Sequence, residues 1–109
     1  MEDKKALIRV LNDSFRTTFI GGRVLMTASV QALPEQIRSK ALSAVREFKD
    51  FTEDNDPHGE HDFGALDLDG QKFFWKIDYY DGTECCGSED PSDPARTARV
   101  LTIMLSEDY

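Results

Sequence analysis

The sequence predicts an α+β domain: a mostly antiparallel sheet of about four strands with two helices packed on one face. Three observations predict it. Asp69-Gly70 stands between two runs of alternating character, the strongest short-range signal for a two-residue hairpin turn. Two stretches ahead of it, near residues 3–18 and 34–49, repeat apolar residues every three or four positions, the helical period. The β-branched run from Val100 to Leu105 suits a strand buried on both faces.

The elements follow in order. From about Asp3 to Thr18, Leu7, Val10, Leu11, Ser14 and Phe15 form the expected inner stripe of a helix, with Lys4, Lys5, Arg9 and Asn12 mostly on its wet side. Gly21-Gly22 ends it. Val24, Met26, Ala28 and Val30 alternate with Arg23, Leu25, Thr27 and Ser29, which reads as a strand over residues 23–30. Pro34 fits the first turn of a second helix and Glu35 suits its positive dipole end. Ile37, Ala41, Ala44, Val45 and Phe48 mark its buried side, and it ends near Lys49. Residues 50–58 hold the turn formers Asn55, Asp56 and Pro57 and read as a loop.

A tight turn at Asp69-Gly70 fixes the hairpin register. Leu68 faces Gln71, Asp67 faces Lys72, Leu66 faces Phe73, Gly64 faces Trp75 and His61 faces Asp78. Leu66, Leu68, Phe73, Trp75 and Ile77 then share a core face. Asp67, Lys72, Phe74, Lys76, Asp78 and His61 share a polar one. Residues 81–94 form a second long loop, a functional flap or a mobile connection. Asp93-Pro94 can open a closing helix with Asp93 as N-cap, but Val100, Thr102 and Ile103 favour a strand.

At 109 residues the chain reads as one domain over positions 1–109. It carries a formal charge of −8, distributed unevenly. Positions 47–93 hold 15 acidic and 3 basic side chains, while the remainder is net basic. Such a field disfavours direct nucleic-acid binding on that side and attracts a basic partner surface. No apolar run approaches membrane-spanning length and the start lacks a signal-peptide pattern, so a cytoplasmic protein is expected. Cys85 and Cys86 are adjacent, which disfavours a bridge, and they read as reduced thiols.

Four groupings could carry chemistry. Glu60, His61, Lys76 and Asp78 meet in the inferred register, where a carboxylate holding one imidazole nitrogen leaves the other available as a base. The plain alternative is a cross-strand pair that fixes the ribbon's end. His58, Glu60, His61 and Asp62 are metal-ligand types, but alternation along a strand lets at most two converge. Zinc would need Asp56 or Asp78 as well, so neither metal nor cofactor is expected. Among the aromatics, Phe73 and Trp75 belong in the core, whereas Phe74 and Tyr80 fall on the polar face as possible partner anchors. Finally, Glu53, Asp54, Asp56, Glu84, Glu89 and Asp90 form an acidic surface able to stand in for nucleic-acid phosphates.

The strings NDPHGEHDFG (Asn55 to Gly64), WKIDYYD (Trp75 to Asp81) and RVLTIML (Arg99 to Leu105), with GGRVLMT near the start and the closing Glu107, Asp108 and Tyr109, resemble a small bacterial family catalogued as domain of unknown function 3768. The resemblance implies a cytoplasmic bacterial protein often carried on plasmids and other mobile elements, in the company of anti-restriction genes. It implies no activity and no catalytic residues. The resulting expectation is a small acidic binding protein, not an enzyme, that acts on a basic nucleic-acid-binding protein in the manner of anti-restriction or anti-CRISPR inhibitors, as a DNA mimic. The alternatives are a small enzyme built on His61, Asp78 and Glu60, with or without a metal, and a plasmid or conjugation accessory scaffold.

Overall fold

A computed structural model describes residues 3–84 and 86–109; the reading of Cys85 lies outside the described residues. The elements are α1 (Lys4–Thr18), β1 (Gly22–Met26), α2 (Ala28–Gln31), α3 (Glu35–Glu47), β2 (Phe63–Leu68), β3 (Gln71–Tyr80), β4 (Ala98–Leu105) and a 3-10 turn η1 (Ser106–Asp108). The four strands lie in the order β1-β4-β3-β2. Both β3 pairings are antiparallel, while β1 runs parallel to β4. The class is therefore α+β, and the sheet is mixed rather than purely antiparallel.

The hairpin has the inferred register from Leu68↔Gln71 to Gly64↔Trp75. Asp69 (φ 50°) and Gly70 (φ 82°) both occupy the left-handed region that a type I′ turn requires. Gly64 is fixed by packing: a Cβ there would land on the Trp75 indole. Phe73 and Trp75 are fully buried and Ile77 nearly so, with Leu66 and Leu68 packed against them. β4 is buried on both sides as a central strand should be, and Leu101 and Ile103 complete the core.

Two expectations need correction. The strand foreseen over residues 23–30 stops at Met26, and residues 28–31 form one helical turn. Thr27 N–H still donates to Ile103 O, after which Gln31 N–H turns back to Thr27 O. Val30 reaches the core in either conformation, so alternation could not separate them. The inner stripe of α1 is also rotated from the one foreseen. Ile8, Asn12, Phe15 and Arg16 are buried, whereas Leu7 and Val10 are exposed. The helix turns polar side chains inward because they satisfy backbone groups there. Arg16 Nη1 donates to Val45 O and Arg46 O at the C-terminal end of α3, a site that favours a cation.

Candidate functional site

The helical side of the sheet holds a polar cluster. His61 has a positive φ of 55°, which turns the chain out of the ladder just before β2. The last hairpin contact is Ile77 N–H donating to Asp62 O. His61 therefore does not face Asp78, contrary to the inferred register. Its Nδ1 lies 2.9 Å from Asp13 Oδ1 on α1, and its Nε2 lies 3.5 Å from Asp56 Oδ2. The ring stacks on Phe51 with centroids 3.7 Å apart. A carboxylate therefore stands near each ring nitrogen, and both come from the helical side of the sheet.

Glu60 belongs to a neighbouring chain of hydrogen bonds. Tyr79 OH donates to Glu60 Oε1 at 2.7 Å, and Asn12 Nδ2–H donates to Tyr79 Oη and Glu60 O. Arg99 Nε donates to Asn12 Oδ1 at 2.8 Å, and its guanidinium also reaches Pro91 O and lies over the Tyr79 ring. Burial first, and then the bond to Glu60, push the Tyr79 phenol well above its ordinary range. Burial likewise lowers Arg99, against the attraction of Tyr79 and Glu60. Asp62, raised by burial and then by Glu60, lies beside this cluster. Each member is engaged with another, which describes a fastening between α1, the 50–62 loop and the sheet.

The foreseen cluster of Glu60, His61, Lys76, Asp78, Phe74 and Tyr80 is thereby split by the sheet itself. Lys76, Asp78 and Tyr80 lie on the opposite face, which none of the helices α1–α3 among the described residues covers. There they line a groove of about 710 Å³. Across the strands, Arg23, Val100 and Asp78 form one row and Leu25, Thr102 and Lys76 the next. Lys76 pairs with Asp78 at 3.2 Å, and Arg23 pairs with Glu84 at 2.6 Å. Phe74 packs with Phe63 and Tyr109 beside the groove instead of standing free. Asp108 and Tyr109 close one end.

The acidic surface is reorganised as well. Asp56 is buried, accepting His61 N–H and facing its ring, so it leaves the surface set. Glu84 folds onto Arg23, Glu89 lies 3.4 Å from Arg96, and Asp90 lies 3.7 Å from Lys4. Asp90 also accepts Ser92 OH and N–H, which hold its carboxyl below the usual range. Glu53 and Asp54 remain exposed. Among the described residues they make no ion pair, and neither do Glu47, Asp50 and Asp67. Glu47, Asp50 and Asp67 line one groove between the end of α3 and the edge strand β2. Asn55 closes the 50–55 turn on itself by donating to Asp50 O and accepting Thr52 N–H.

Sequence reasoning missed Glu47, Asp50 and Asp67 because local charge density does not reveal which acids find internal partners. It missed Asp13 because that residue meets His61 only after α1 docks on the 50–62 loop. Among the described residues, no group of three His, Cys, Asp or Glu side chains is placed to hold a metal. His58 is exposed, and Glu60 and His61 are turned to different partners. No helix among the described residues is long and apolar enough to cross a membrane.

A family model described as Protein of unknown function (DUF3768) matches residues 26–108. No curated protein and no solved structure matches the chain.

Proposed function

The chain belongs to the DUF3768 family, and we propose that this member is a small acidic binding protein of the cytoplasm that docks on the basic groove of a nucleic-acid-handling protein and modulates or inhibits it. The observation that carries this reading is the sorting of the carboxylates. Glu84, Glu89 and Asp90 lie beside Arg23, Arg96 and Lys4, whereas Glu47, Asp50 and Asp67 share one groove with Lys49 and, like the exposed Glu53 and Asp54, make no ion pair among the described residues. Carboxylates left without internal partners keep their full attraction for an incoming Lys or Arg. An array of them invites the residues that normally hold phosphates, and binding of that kind weakens with salt.

No observation favours the enzymatic alternative, since His61 and Glu60 lie across the sheet from Asp78. Inhibitor and accessory scaffold differ in whether the partner's nucleic-acid site is covered. The test is capture of the partner from the native host, followed by elution with double-stranded DNA or RNA. Release by nucleic acid at constant ionic strength supports occupation of the groove. Retention of the partner at saturating nucleic acid contradicts it.

A further inference from the structure

We propose that the uncovered face of the sheet is a second, separate binding site that takes a small amphipathic acid: an apolar ring or acyl body with one anionic group. The groove of about 710 Å³ falls within the size range of small-molecule sites. Its floor is mixed: Leu25 is exposed at the edge strand, Thr102 lies beside it, and Val100 and Met104 lie nearly buried beneath. Two cations, Arg23 and Lys76, stand on either side of β4 above that floor.

The charge partners decide the ligand's sign. Lys76 is held by Asp78, two residues along the same strand. Asp108 is held by Thr27 and Ser29 hydroxyls and by Leu105 N–H. Only Arg23 takes its carboxylate from a loop, and Glu84 reaches it with a left-handed φ of 60°, a conformation that costs a non-glycine residue energy. Glu84 lies outside the strands, so its side chain can leave Arg23 without disturbing the sheet. It therefore stands where the ligand's anionic group would sit, while the apolar body covers Leu25, Val100 and Met104.

The test titrates the full chain with 8-anilinonaphthalene-1-sulfonate, an aromatic anion whose fluorescence reports apolar contact. Dodecanoate and 1-naphthaleneacetate then compete as the acyl and aromatic sources of the same chemistry, and the stronger competitor names the source. Variants are compared after thermal unfolding shows each to be folded. Wild type should bind saturably. Glu84→Gln should tighten binding roughly two- to fivefold by removing the internal competitor. Arg23→Met should weaken it roughly tenfold or more. Leu25→Asn, an uncharged polar replacement at an exposed position, should weaken it through the floor alone. The proposal is overturned if neither wild type nor Glu84→Gln saturates by about 1 mM. It is equally overturned if Glu84→Gln weakens binding, the result for a cationic ligand, or if Arg23→Met and Leu25→Asn leave the titration unchanged.

Discussion

Arg99 Nε donates to Asn12 Oδ1 across 87 positions of sequence, joining the central strand to the first helix in the buried interior. Asn12 is fully buried and has one side to give and one to take: its oxygen accepts Arg99 and its nitrogen donates to Tyr79 and Glu60. Replacing it with Leu strands all three partners, and a buried unsatisfied group costs about 1–3 kcal/mol. Asn12→Leu should therefore lower stability by at least that much in urea unfolding, despite the added apolar surface.

His61 separates a binding protein from an enzyme. If it only fastens Asp13 and Asp56, His61→Ala should cost about 1–3 kcal/mol, because two carboxylates lose their shared partner. Partner capture should change by less than about threefold once folding is matched. A folded His61→Ala protein that loses capture would return His61 to the functional site.

The hairpin was legible because its rule is local: Asp69-Gly70 fixes the turn, and alternation carries the register outward to Gly64↔Trp75. The register failed at His61, where a positive φ ends the alternation and no neighbouring residue announces it. The α1 face was misread for a different reason. Leu7 and Val10 look like core by spacing, yet Asn12 and Arg16 win the interior because Tyr79, Glu60, Val45 and Arg46 offer them hydrogen bonds. Those partners lie 29 or more positions away, so only the folded chain brings them together. The candidate acidic surface was legible only as net charge. Net charge located the region, but Arg23, Arg96 and Lys4 decide which carboxylates stay available.

Gly64 offers a test of the core. A methyl group there collides with the indole of Trp75, which Phe48 and Phe51 hold edge-on at 5.5 and 6.1 Å between centroids. Gly64→Ala should destabilise by about 1–3 kcal/mol through overpacking. Ala substitution at Gly82, where a Cβ meets nothing within 4 Å, should have a smaller effect on the unfolding midpoint.

Asp108 should show in the pH dependence of stability. Hydrogen bonds from Ser29, then Thr27, hold its folded-state carboxyl below the ordinary carboxylate range. A depressed carboxylate contributes stability above its unfolded value and loses it as pH falls through the folded value. The melting temperature of wild type should exceed that of Asp108→Asn at neutral pH. The gap should narrow once the pH drops below about 4.

The central claim is that unpaired carboxylates at the α3–β2 corner, rather than acidic charge in general, hold the partner. It is tested most directly by the affinity of the captured partner across a salt series for two block variants. One neutralises Glu47, Asp50, Glu53, Asp54 and Asp67; the other neutralises Glu84, Glu89 and Asp90. Single exposed pairs are worth about 0–1 kcal/mol, so loss should accumulate over the block. The first variant should bind roughly tenfold or more weakly at low salt and show a flatter salt dependence, while the second stays close to wild type. Equal losses in both variants, or an affinity in wild type that does not change with salt, would contradict the account.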